Sequence, residues 1–438
     1  MRERSAGRSG WAADLGPPFT GDSGAGRVAL GSAAPVGGSF LAMTSMRPPR
    51  RSAAFAVAVV LGLLVPPTAS ASGPVAPGID HRPFTVTTGH GAVNGHLLTV
   101  DLHRARLGLL HPGSIAARDE VPDMANARGA VAGVNGDFFN ISSVHEGVEP
   151  TGSSVGPEIA GGRDRKGAVP AGQRFGPGLP TGTSTWDVFG VGVDRRARVG
   201  GLDLTGYART SEGTFDLEGL NQYALAEDGI GVFTSEWGPM SRVRSTCGSD
   251  ASRETPCSAE TEEVVVRDGV VVAEHEEPGA GAIPRGTTVL VGREDGAAEL
   301  ESLDPGDRVR VRPRLVAEDA PPFRFAVGGF PILRDGAPLA GLDAGELAPR
   351  TAAGASADGR FAYLVVVDGR SAVSAGMTVA ELADLLRSFG ADDAVNLDGG
   401  GSSTFALRGP GEDAATVRNV PSDGKPRPVA NGIGVFPR

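Results

Sequence analysis

Residues 394–407, AVNLDGGGSSTFAL, place a carboxylate and a glycine turn between two short apolar runs. Ala394, Val395 and Leu397 read as a brief buried strand, and Thr404 to Leu407 as the next one. Asp398 therefore stands at a strand end. Gly399, Gly400 and Gly401 form a turn free to take positive φ, with backbone N–H groups and the Ser402 and Ser403 hydroxyls available to an anionic oxygen. A plain tight turn is the competing reading, whereas a linker does not fit between two apolar runs.

Working back from this stretch, the segment before it is the best helix in the chain. Thr378 and Glu381 form a capping box, Val379, Leu382, Leu385, Leu386 and Phe389 share one face, and Gly390 supplies the stop. Before the helix, FAYLVVVDGR from Phe361 reads as a strand with Asp368 at its end. Strand, helix, strand in this order predicts a βαβ-like unit, and parallel strands would bring Asp368 and Asp398 out at the same sheet edge. Pro349-Arg350-Thr351-Ala352 lies just upstream.

A second helix–strand unit is expected near residue 121. Val121 to Arg128 is a short helix with Pro122 in its first turn, Gly129 ends it, and Ala130 to Val134 is a buried strand. It leads into Asn135-Gly136-Asp137-Phe138-Phe139, whose competing reading is a type I′ hairpin turn followed by two core phenylalanines. Residues 72–119 read as an N-terminal β region. Residues 140–185, rich in Gly, Pro and Ser, are expected as a long loop able to fold over a site, with His145 and Glu146 as solvated surface. From Trp186 to Val316 short β-runs dominate, with Arg267-Asp268-Gly269 marking a hairpin. This β-rich region, about 186–316, is either a separate barrel-like domain or an insertion in the core.

The 438 residues allow two or three domains, and 40% hydrophobic with 21% charged residues is the balance of a folded globular chain. With 66 glycines, 33 prolines and few aromatic residues, short strands and turns are favoured over a helical bundle. The fold class expected is α+β, a mixed sheet core with helices plus the β-rich region. A net charge of −11 without basic stripes argues against nucleic acid as a partner.

Arg47, Arg50 and Arg51 precede an apolar run, Ala53 to Val65, that ends in Pro66-Pro67 and the small-residue site Ala69-Ser70-Ala71. Residues 46–71 thus read as a secretory signal peptide cleaved near Ala71, too short in its apolar part to span a bilayer. Residues 1–45 read as a mis-assigned or disordered extension, with Met43 or Met46 as the true start. Seven arginines and three carboxylates precede Ser72, so a secreted chain starting there carries about −15. No stable membrane span is expected after cleavage. Cys247 and Cys257, in a polar loop of an exported chain, read as a disulfide, with free thiols as the alternative.

NGDFF, PRTA, VVVDGR, SAGMTVAELADLL, NLDGGGSST and the closing RPVANGIGVF, in this order, resemble the phosphodiester glycosidase family over about residues 120–438. The family's usual Asn-Gly-Gly-Phe-Phe reads Asn-Gly-Asp-Phe-Phe here, which keeps Asn135 and adds the Asp137 carboxylate. The resemblance implies hydrolysis of a glycosyl phosphodiester at the sugar C–O bond, releasing sugar and a phosphomonoester. A carboxylate such as Asp398 or Asp368 suits an oxocarbenium-like transition state as nucleophile, base or stabiliser. Arg350, with Thr351 beside it and the Gly399–Ser403 loop opposite, suits phosphate oxygens, and Arg427 and Asn431 are further candidates for substrate contact. Each of these positions also reads as an ordinary turn or ion pair.

No cofactor is expected to be required. A metal-dependent phosphodiesterase is the alternative, with Asp137, Asp368 and Asp398 as oxygen ligands for Ca²⁺ or Mg²⁺. From another class, a non-catalytic module binding envelope glycans would keep the fold without turnover, although three Trp and three Tyr supply little aromatic stacking for sugars.

Overall fold

The computed structural model describes residues 73–438 apart from 212, 318 and 319; the expected signal peptide and the residues before it lie outside these. The expected α+β class is corrected. The described residues are mostly β, in four sheets, with three short α-helices of 7, 6 and 10 residues: Val121–Ala127, Asp295–Leu300 and Val379–Ser388.

The sheets are almost wholly antiparallel rather than mixed. The largest has eight strands, in the order Gly73–Ala76, Ile79–Thr88, Gly91–Asp101, Phe361–Val367, Arg350–Ala355, Asp393–Asn396, Phe330–Arg334 and Ala337–Pro338. Phe361–Val367 and Asp393–Asn396 do run in the same direction, but Arg350–Ala355 lies between them and pairs antiparallel with both. Its sequence, RTAAGA, shows no apolar–polar alternation because it is buried along its whole length, so pattern alone conceals this central strand.

The helix after Phe361–Val367 closes one face of this sheet. Thr378 caps it with both bonds of the capping box present, and Val379, Leu382, Leu385 and Leu386 are buried. Each such side chain is worth about 2 kcal/mol on removal from water. Strand alternation then divides the core. Val365 and Val367 pack with the helix, while Leu364 and Val366 point the opposite way, against Val134, Phe405, Ile433 and Val435.

Those last residues belong to a five-stranded sheet ordered Thr416–Val417, Phe405–Leu407, Ala132–Asn135, Gly432–Pro437 and Ala105–Leu110. The Asn135 and Asp398 strands therefore come from two sheets stacked face to face. The helix at 121 forms as Val121–Ala127, with Gly129 at φ 70° behind it.

Residues 140–185 are mostly irregular, as expected, but part of the segment enters the core. They supply Glu158–Ala160 and Arg163–Lys166 to a sheet that also holds Asp187–Gly192, Ala197–Arg209, Thr214–Asp216 and Phe323–Gly328, with Arg310–Ala317 alongside Ala197–Arg209. Ser153, Ser154, Glu158 and Lys166 are buried. A further five-stranded sheet joins Gly219–Leu220, Ile230–Phe233, Thr287–Arg293, Thr261–Arg267 and Val270–His275, and the Asp268-Gly269 hairpin turn takes positive φ at both residues. Cys247 and Cys257 are disulfide-bonded. Among the described residues no helix is long and apolar enough to cross a membrane.

Candidate active site

Three strand ends of the eight-stranded sheet meet at one edge. In the register Arg350 pairs with Val367 and Ala352 with Asn396, so Arg350 and Thr351 begin their strand where Asp368 and Asp398 leave theirs. Asn135 arrives at the same place from the stacked sheet. Its Nδ2 donates to the Asp398 carbonyl at 2.6 Å, and its Oδ1 accepts from Thr351 Oγ1 at 2.7 Å and from the Thr404 N–H at 3.0 Å. The Asp398 N–H donates to the Gly136 carbonyl at 2.9 Å. One fully buried amide thus fixes the backbone on both sides of the glycine turn.

The turn itself is less open to a ligand than its composition promises. Gly399 N–H donates to Asp398 Oδ1 at 2.9 Å, and Gly400, Ser402 and Ser403 N–H groups bond to the carbonyls of Pro349, Gly399 and Gly400. Among the described residues the Gly401 N–H has no hydrogen-bond partner. Only Gly400 takes positive φ, at 58°. A Cβ at Gly401 would lie 2.1 Å from Arg427 Nη2 and from Asp423 Oδ2, so a larger residue there would displace that ion pair.

Arg427 donates to Asp423 Oδ2 at 2.7 and 3.0 Å and reaches Ser402 Oγ at 3.4 Å. Arg370 also lies against the turn, with Nη1 3.0 Å from where a Gly400 Cβ would stand, and pairs with Glu346 at 3.2 Å. Arg350 is placed differently from a phosphate grip. It is buried, and it donates to the carbonyls of Met377 at 2.8 Å and Glu346 at 2.6 Å.

The carboxylates differ in exposure. Asp398 is only partly buried, yet protein surrounds its carboxyl, and this burial pushes its pKa up to about 7 against the pull of Ser402, Arg427 and the Gly399 N–H, with Asp137 adding to the rise. Asp137 is buried, its Oδ1 accepting from Phe138 N–H at 2.8 Å and its Oδ2 from Gly156 N–H at 2.6 Å. Burial raises it to about 6, opposed by the Gly156 N–H, Lys166 and the Phe138 N–H. Asp368 is also raised by burial, although Val420 N–H at 2.9 Å and Asn419 Nδ2 at 3.3 Å both bond its Oδ1.

Behind Asp137 lies a polar cluster that sequence patterning does not reveal. Lys166 is fully buried and donates to the carbonyls of Val155, Gly156 and Gly167 at 3.0, 2.9 and 2.6 Å. Burial lowers its pKa to about 8, while Glu158 and Asp137 hold it up. Glu158 Oε1 accepts from Asn431 Nδ2 and from Ser154 Oγ, both at 2.8 Å, and Asn431 Oδ1 accepts from the Asp137 N–H at 2.9 Å. Asn431 is therefore the bridge between Asp137 and Glu158. GGRDRKG carries neither apolar alternation nor a motif that would mark Lys166 as internal.

As a metal centre the three aspartates do not converge. Among the described residues the acidic group whose oxygens all lie within 4.8 Å is Asp335, Asp392 and Asp393, at the start of the Asp393–Asn396 strand rather than its end. Asp137, Asp368 and Asp398 form no such group.

Comparison with known proteins completes the description. A crystal structure of a hypothetical protein from Synechocystis matches with a TM-score of 0.64 and 22% identity, covering 82% of this chain and 62% of that one. The chain thus spans about three-fifths of that relative's length. A protein from Burkholderia pseudomallei, described as a candidate exported protein, matches with a TM-score of 0.60 and 26% identity, covering 79% and 74%. The zebrafish N-acetylglucosamine-1-phosphodiester alpha-N-acetylglucosaminidase catalytic domain, auto-inhibited by its pro-peptide, matches at 17% identity and a TM-score of 0.43, covering 84% and 87%. No curated protein matches this chain. The phosphodiester glycosidase family model matches residues 260–436, which include Arg350, Asp368, Asp398, Arg427 and Asn431 but not Asn135 or Asp137. Over residues 260–436 the chain is thus similar to the phosphodiester glycosidase family.

Proposed function

We propose that this protein is an exported hydrolase that cleaves a sugar-1-phosphate diester at the sugar C–O bond, releasing sugar and a phosphomonoester. The observation that carries the reading is Asp398. The residue is part-exposed, its carboxyl is enclosed enough for its pKa to rise to about 7, its backbone is held by Asn135, and the Arg427 guanidinium faces it across Ser402. An oxocarbenium-like transition state needs a carboxylate beside the anomeric carbon, and a phosphate leaving group needs charge neutralisation more than a strong acid.

Roles follow from exposure. Asp398 acts on the sugar or on the attacking water, and the part-exposed Arg427 guanidinium takes the phosphate oxygens. Asp137, with both oxygens bonded to backbone N–H groups, holds negative charge next to Asp398 and keeps its pKa high. Arg350 and Asp368 position the strand ends rather than touch substrate. Export rests on the residue 46–71 pattern together with the description of the Burkholderia relative.

The test is hydrolysis of UDP-N-acetylglucosamine and of simple sugar-phosphate diesters by a chain starting at Ser72, with and without EDTA. Free sugar as product, unaffected by EDTA and lost in Asp398→Asn, is expected. Sugar phosphate as product, or loss of activity on chelation, would replace this reading with a metal-dependent phosphodiesterase. Binding of glycans with no turnover of any diester would replace it with a binding module.

A further inference from the structure

At the far end of the Ala105–Leu110 and Gly432–Pro437 ribbon, away from Asp398, a cleft of about 380 Å³ opens between this ribbon and the strands Asp187–Gly192 and Phe323–Gly328. Arg106, Arg128, Arg195, Arg324 and Arg438 all line it, and no Asp or Glu does. Strand alternation aims two of them. Arg106 is exposed between buried Ala105 and Leu107, and Arg324 between buried Phe323 and Phe325. The Arg106 guanidinium lies 4.0 Å over the Phe436 ring, and Arg438 Nε donates to the Ala105 carbonyl at 3.1 Å, so both heads are held in place.

Some arginines elsewhere pair with acids: Arg360 with Asp101, Arg165 with Glu236, Arg427 with Asp423. None of the five in the cleft has a carboxylate partner among the described residues. Arg128 bonds His111 Nε2 at 2.8 Å, and burial together with the nearby arginines Arg165 and Arg128 keeps that imidazole neutral. The use of arginine itself says nothing, because lysine occurs only at Lys166 and Lys425. What is informative is the convergence. In a chain of net charge −11, five arginines line one cleft with no carboxylate among its lining residues, and solvent alone screens their like charges. The mutual proximity of Arg106, Arg324 and Arg438 is enough to lower the Arg106 pKa on top of its burial.

We infer that this cleft binds a ligand carrying two or more closely spaced phosphate groups. Its volume suits a small ligand. A guanidinium fork donates paired N–H bonds to phosphate oxygens, and the apolar floor of Leu107, Leu109 and Phe325 lowers the local dielectric under them. Arg106 pairs with Phe436, four residues along the ribbon from the Gly432–Leu110 pair beside Asn431, about 13 Å away. The cleft is therefore a second site, and the inference does not depend on the role of Asp398.

Calorimetric titration of the chain from Ser72 with inorganic tripolyphosphate tests it. Saturable binding of one tripolyphosphate per chain is expected, weakening as salt rises. The variant R106Q/R324Q should bind at least tenfold more weakly, and Asp398→Asn and Arg427→Ala as tightly as the parent. Should R106Q/R324Q fold poorly, Arg195→Asn, at an exposed turn residue, replaces it and should weaken binding about threefold. No heat at millimolar tripolyphosphate, equal affinity in the cleft variants, or loss of binding in Arg427→Ala instead would each overturn the inference.

Discussion

The Asn135 side chain donates to the Asp398 backbone carbonyl at 2.6 Å across the seam between two stacked sheets. The same amide oxygen serves Thr351 and Thr404, so three backbone or side-chain partners lose their bond if it is removed. Buried groups left unsatisfied cost about 1–3 kcal/mol each. Asn135→Ala should therefore lower unfolding free energy by about 3 kcal/mol or more in urea denaturation and abolish diester hydrolysis in the fraction that remains folded. A variant with parental stability would show that water replaces the amide and that Asn135 does not hold the turn.

The Asp398 carboxyl makes stability pH-dependent in a defined direction. Its folded pKa, about 7, lies above its ordinary value of 3.8. Between these values the folded chain retains a proton that the unfolded chain has released, so this group's contribution to stability falls as pH rises from about 4 to about 7. Asp398→Asn removes the titration. The melting temperature of the variant should match the parent at pH 4 and exceed it increasingly up to pH 7, with a constant gap above. A gap that shrinks with rising pH would mean a carboxylate stabilised in the folded state, contrary to the burial described.

Lys166 is the buried cation for Asp137 and Glu158. Lys166→Met leaves two carboxyls without it and three carbonyls without a donor. Removing one partner of a buried charge pair costs about 3–5 kcal/mol. Denaturant unfolding should show a loss of about 3 kcal/mol at pH 8, smaller at pH 5, where Asp137 takes up its own proton. A loss that is equal at both values would assign the effect to packing alone.

What the sequence made legible here is what local chemistry specifies. The Thr378–Glu381 capping box, the Gly390 stop, the Asp268-Gly269 hairpin and the strand ends at Asp368 and Asp398 are short-range signals, and each forms as read. The fold class was misjudged because two legible strands and a helix suggested a parallel unit. The strand between them, Arg350–Ala355, is made of small buried residues whose pattern carries no period. Glu158 and Lys166 were invisible for the related reason that their burial depends on partners far along the chain, such as Asn431. Arg350 shows the opposite error. A conspicuous charge near a glycine turn is occupied by the carbonyls of Met377 and Glu346, while Arg370, one residue beyond Asp368-Gly369, stands against the turn.

Arg427 separates phosphate recognition from sugar chemistry. Its guanidinium is shared between Asp423 and Ser402 and stands against Gly401, the turn residue whose N–H is free of backbone bonds. A charge-assisted contact to a phosphate oxygen is worth about 1.5–3 kcal/mol, or roughly 10- to 100-fold. Arg427→Ala should lower kcat/KM for a sugar-phosphate diester by that factor. It should leave kcat/KM nearly unchanged for an aryl glycoside of the same sugar, whose leaving group carries no phosphate. Equal losses on both substrates would place Arg427 as a support for Ser402 and the turn, and would move the phosphate contact to Arg370.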